Sequence, residues 1–139
     1  MAYWLLKTEA ETFGWEDQLK RGAKGEPWSG VRNFTARDNL RSMKKGDLAF
    51  FYHTGKEKAV VGVVKVIKEA YKDHTAEEDF WSMVDVVAVE PFPTPVTLAQ
   101  VKAEPKLKDM ALTKYSRLSV QPVTDAEWKL VRKMGGFKG

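Results

Sequence analysis

The ten residues WSGVRNFTAR, 28 to 37, place an indole, a hydroxyl, a guanidinium and a carboxamide on a segment that runs directly into helix-forming residues. The unpaired N–H groups of a helix start carry partial positive charge and receive anions or the edges of planar heterocycles. Gly30 lets backbone come close to a ligand. Arg32 offers a planar, permanently charged fork, and Asn33 offers a helix cap or a two-point amide contact. The same residues also fit a plainer arrangement: buried Trp28, capping Asn33, solvated Arg32.

Two further groups carry polar chemistry at predicted strand ends. Tyr52-His53-Thr54 closes a strand in which Phe51 and His53 share one face while Phe50 and Tyr52 share the other. In Arg117-Leu-Ser-Val120 the alternation turns Leu118 and Val120 inward and leaves Arg117 and Ser119 for a ligand. Lys7-Thr8-Glu9 ends the first strand and reads as a structural ion pair.

Catalytic patterns are thin. His53 and His74 lack metal-ligand spacing, the chain has no Cys, and no Walker loop, G-x-G-x-x-G or G-x-S-x-G occurs. Without Cys, disulfides and thiolate nucleophiles are excluded. Ser119 with His53 and a carboxylate such as Glu9 would make a triad only if the fold gathered them. No metal and no cofactor are expected.

The elements that must position these groups follow from hydrophobic periodicity. Strands are predicted over 2–8, 48–54, 59–71, 82–89 and 117–123, the second and third joined by the turn GKEK. A short helix is predicted over 15–21, with Glu16 and Asp17 first and Lys20 and Arg21 last, the charge order that the helix dipole favours. Asn33 caps a second helix over 34–44 that Gly46 stops. Its Ala36, Leu40 and Met43 form an apolar stripe, and its Arg37, Arg41, Lys44 and Lys45 a basic one. A Pro-punctuated connection leads to a short helix over 98–102. The capping box Thr124-Asp-Ala-Glu127 opens a last helix that ends at Gly135-Gly136.

The 139 residues suit one α+β domain over 1–139. The expected architecture is a small, mostly antiparallel β-barrel of five to six strands flanked by short helices. MAYWLLKTEAE is too short in apolar run for a signal peptide, and Gly62 and Lys65 interrupt the longest apolar stretch, so no membrane partner is expected.

Net charge is +4, but its placement says more. Residues 20–45 hold eight basic side chains against Glu26 and Asp38, while the rest of the chain is slightly acidic. Such asymmetry marks a polyanion binder or a solvated basic face. With five Trp available for stacking, nucleic acid is the expected partner. An enzyme acting on a nucleotide or small acyl substrate through His53 and Ser119 is the alternative, and a protein-interaction module is a third.

YWLLKTE, WSGVRNFTARDNLRSMKKGDLAFFYHT, VVGVVKV with AYKD, and RLSVQPV with the trailing Trp128 together resemble the EVE domain family of the PUA-like superfamily. The resemblance spans nearly the whole chain. It implies a compact β-barrel related to PUA, ASCH and YTH domains and a non-enzymatic reader of a modified base, in DNA or RNA, turned out into an aromatic pocket. Carried over, that pocket comprises Trp28, Ser29, Val31 and Asn33 from the loop. Tyr52, His53, Arg117 and Ser119 come from the strands, with Glu9 close by. Arg32, Arg37, Arg41, Lys44, Lys45 and Lys7 would meet the nucleic-acid backbone. A monomer is expected, cytoplasmic in a prokaryote and nuclear in a eukaryote. Thr8 and Ala10 stand where the family often has Ser and Pro, and Phe34 where Tyr is frequent.

Overall fold

YWLL and LAFFY carry apolar side chains at consecutive positions, the signature of strands covered on both faces. The computed structural model, which describes residues 1–138, shows that arrangement. Strands β1 (Tyr3–Glu9) and β3 (Leu48–Thr54) lie side by side and parallel near one end of a six-stranded sheet. Trp4, Leu6, Ala49 and Phe51 pack on one face, and Leu5, Phe50 and Tyr52 on the other.

Strands β4 (Ala59–Lys72) and β5 (Ser82–Thr97) extend the sheet as a long antiparallel pair, and β2 (Glu26–Pro27) and β6 (Val120–Val123) finish it. The order is β2-β5-β4-β3-β1-β6, with every pairing antiparallel except β1 with β3. Helices α1 (Trp15–Lys20) and α2 (Phe34–Ser42) contribute to the first face. Helices α3 (Leu98–Ala103), α4 (Ala111–Lys114) and α5 (Asp125–Met134) contribute to the second.

The sheet does not close, which corrects the expected barrel. Its two outer strands are only two and four residues long, and Pro122 removes a donor from the second. Burial of both faces comes from two helical layers, so a closed interior is not needed.

Three boundaries also differ. The last strand begins at Val120, and Arg117 to Ser119 form a turn, so the predicted alternation does not apply to them. Strand β5 runs through Pro91, Pro93 and Pro95 because bulges against β4 absorb the missing donors. Helix α2 ends at Ser42, since Met43 turns extended while keeping its side chain in the core.

The apolar stripe of α2 behaves as read, with Ala36, Leu40 and Met43 buried. Its basic stripe does not stand free in solvent. Arg41 donates to the Phe80 carbonyl at 2.9 Å and to Ser82, while Arg37 donates to Phe80 and pairs with Asp38. Two positions fix the α1 layer. Gly62 lies beneath the Trp15 ring, where a Cβ would fall 2.5 Å from ring carbons, and His53 Nε2 accepts the Trp15 N–H.

Candidate nucleic-acid interface

Parallel pairing sets Lys7 beside Tyr52, Thr8 beside His53 and Glu9 beside Thr54, so the strands deliver their polar ends together. Ligands of sheets with parallel strands commonly sit outside such carboxyl ends. Here a cavity of about 390 Å³ opens there, lined by Lys7, Thr8, Phe13, Trp28 and Ser29, with Arg21 and Glu26 at the rim. Trp28 is 7% exposed and meets Phe13 and Phe51 edge-on, at centroid distances of 6.1 and 5.6 Å. Thr8 Oγ1 donates to the Phe13 carbonyl at 2.9 Å and so fixes the loop that carries this second aromatic wall.

The 28–33 loop is clamped from outside. Asp73, fully buried, accepts the Gly30 N–H at 2.7 Å and an Arg32 N–H at 3.1 Å through one oxygen. Its other oxygen accepts from the N–H and hydroxyl of Thr75. Burial alone would raise this carboxyl's pKa, but the bonds from Thr75, Gly30 and Arg32 outweigh it and hold the group at about 2. Gly30 has φ +85°, a conformation costly for any side chain.

Lys7 is half-buried beneath the 115–116 turn. Its ammonium donates to the carbonyls of Ser116 at 3.0 Å and Tyr115 at 3.4 Å and lies 5.8 Å from the Tyr52 ring centroid. Burial pushes its pKa below the ordinary lysine value. The ion pair expected within Lys7-Thr8-Glu9 does not form among the described residues.

The sequence-predicted residues are thus brought together only in part. Trp28 and Ser29 share the cavity with Lys7. Tyr52 lies on the opposite face of the sheet, beside a second opening of about 180 Å³ that Lys7 also lines, and burial raises its phenol pKa. Val31 is buried in the core. Asn33 Oδ1 accepts the Ala36 N–H as the cap of α2, and its side chain lines a groove of about 680 Å³ together with Arg117. Ser119 gives its carbonyl to the Lys7 N–H.

His53 has both ring nitrogens occupied, Nε2 by the Trp15 N–H and Nδ1 by Glu57. It ties α1 to β3 and keeps no nitrogen for a Ser119 hydroxyl. Lys44 and Lys45 are exposed beyond the far end of α2. No group of side chains able to hold a metal ion occurs among the described residues, and no described helix is long and apolar enough to cross a membrane.

Sequence reasoning missed Phe13, Thr8 and Asp73. Asp73 does stand in the AYKD block, so a search for what fixes the Gly30 turn could have found it.

The EVE domain family matches residues 2–134. The chain belongs to the EVE domain family. A solved protein of Agrobacterium tumefaciens has 49% identity and a TM-score of 0.96, with 99% of this chain and 94% of that one covered. Human THYN1 protein, solved in complex with 5-methylcytosine-containing DNA, has 34% identity and a TM-score of 0.90, with 100% of both chains covered. Chicken thymocyte nuclear protein 1 is 38% identical across 93% of this chain. The chain spans 66% of that chicken protein's length. Membership extends over β1 to α5, so the EVE domain carries both the Trp28 cavity and the groove beside it.

Proposed function

We propose that this EVE domain is a non-catalytic reader that takes one modified base of a DNA or RNA strand into the Trp28 cavity. The observation that carries the reading is the cavity itself. Aromatic walls from Trp28 and Phe13 stand beside Thr8 and Ser29, with Lys7 in the lining. The THYN1–5-methylcytosine DNA complex supports the choice of ligand class. The occupied ring nitrogens of His53 favour reading over turnover through that residue.

The energetics suit this role. Turning out a base costs a few kcal/mol, and aromatic contact returns ~1–3 kcal/mol per base. Burying one extra methyl contributes only ~0.8 kcal/mol, about fourfold in affinity. Sharper discrimination must come from hydrogen bonds to the base edge, a role we assign to the Ser29 hydroxyl and to the Thr8 oxygen as acceptor, its proton being donated to the Phe13 carbonyl. Phosphate contacts from Arg117 and from exposed lysines such as Lys44 and Lys45 supply the salt-dependent remainder. The domain works wherever such strands lie, the nucleus of a eukaryote or the cytoplasm of a prokaryote.

Titration of the protein with paired oligonucleotides, one carrying 5-methylcytosine and one not, tests the reading. Tighter binding of the methylated strand is expected, with Ser29→Trp abolishing that preference by filling the cavity. Equal binding of both strands by the wild type would overturn it.

A further inference from the structure

We propose that the groove between α2 and the 114–118 turn seats the nucleotide next to the one in the cavity, with Tyr115 as its stacking surface and Arg117 as its phosphate clamp. This rests on the cavity holding a base. It adds that the domain reads a base together with its neighbour.

The two openings are lined by different residues but are linked on both sides. The 28–33 loop places Ser29 in the cavity and Asn33 in the groove, four residues apart and so separated by at most ~14 Å of chain. On the other side Lys7, in the cavity lining, bonds the carbonyl of Ser116, which lines the groove. At about 680 Å³ the groove is the roomier of the two.

Tyr115 is 57% exposed, an unusual position for so large a ring. Its backbone is nonetheless held firmly. The Tyr115 N–H donates to Ala111 at 2.7 Å, and its carbonyl accepts from the buried Gln121 amide at 2.9 Å and from Lys7. With the backbone held, an exposed tyrosine has only its two side-chain torsions to lose when a base stacks on it. Nearby polar groups are suited to a nucleotide. Arg117 is exposed and has no carboxylate partner among the described residues, whereas the adjacent Lys114 is paired with Asp109 at 3.4 Å. Asn33 spends its oxygen on capping α2 and keeps its Nδ2 for an acceptor on the ligand.

The test uses a five-nucleotide DNA strand with a central 5-methylcytosine, and the same strand lacking the neighbouring base on either side. Tyr115→Ala should weaken binding of the complete strand roughly tenfold, with Tyr115→Phe restoring it. Removing the neighbouring base on one side should cost the wild type the same factor and cost Tyr115→Ala nothing further. Arg117→Gln should lower the salt slope by about one. Unchanged affinity in Tyr115→Ala, or losses that multiply when the variant meets the strand lacking that base, would overturn the groove assignment while leaving the cavity reading intact. A wild type indifferent to methylation would overturn the cavity reading instead, and one that binds no strand would overturn both.

Discussion

Asp73 shows how much one side chain can organise without touching a ligand. Its two oxygens hold the Gly30 turn, the Arg32 fork and Thr75, and it does so as a carboxylate. With a folded pKa near 2 against an ordinary 3.8, its contribution to stability is present well above pH 3.8, begins to fade below about pH 5 and is lost as pH falls toward 2. By linkage that contribution is about 2 kcal/mol. Urea unfolding of wild type and Asp73→Asn should therefore show a gap that is widest near neutrality and narrows steadily between pH 5 and pH 2. A gap independent of pH would show that the carboxylate's charge is not what clamps the loop. Trp28 and Ser29 stood out in the sequence, but the plainer arrangement open there also fits in part: Trp28 is buried, Asn33 caps α2 and Arg32 pairs with Asp73. Asp73 did not stand out, since its partner lies 43 residues away and nothing local marks it as buried.

Among the elements, α1 lines no part of the cavity itself but anchors the flanking residues Phe13 and Arg21 that do. Only six residues long, it is held by the Trp15 ring over Gly62 and by the Trp15 N–H to His53. Gly62→Ala should drive the indole off the strand and cost ~1–3 kcal/mol, read by chemical unfolding together with a change in near-ultraviolet circular dichroism. Unaltered stability would mean that α1 packs loosely. The strands β1 and β3, the cap at Asn33 and the apolar stripe of α2 were legible because local pattern dictates them. The pairing of β1 with β3 in parallel was not, because it depends on the 38-residue crossover between them rather than on either strand. The alternation along β3, legible in LAFFYHT, is what separates Tyr52 from Trp28, since consecutive residues face opposite layers.

For the whole molecule, formal charge overstates what is available to a polyanion. Of the four arginines in residues 20–45, Arg21, Arg32 and Arg37 pair with carboxylates, and Arg41 is bonded to Phe80 and Ser82. Few phosphate contacts then remain, and the logarithm of affinity should fall with the logarithm of salt at a slope of roughly −2 to −4. Fluorescence anisotropy across a salt series measures it, and a slope steeper than about −6 would show that the paired arginines are released on binding. The sequence showed the basic segment correctly, but carboxylates distant in the chain, above all Asp73, decide how much of it is free.

The open sheet, with a helical layer on either side, also makes the protein its own optical instrument. Trp4, Trp15 and Trp28 occupy one layer, whereas Trp128 is stacked between Tyr3 and Phe50 in the other. An indole quenched by an incoming base and an indole screened behind a β-sheet therefore coexist in one chain. Replacing Trp4, Trp15, Trp28 and also Trp81, which stacks on Phe34 beside the 28–33 loop, with phenylalanine would leave the Trp128 emission alone and blind to cargo, and the difference between the two spectra would report occupancy with no added dye.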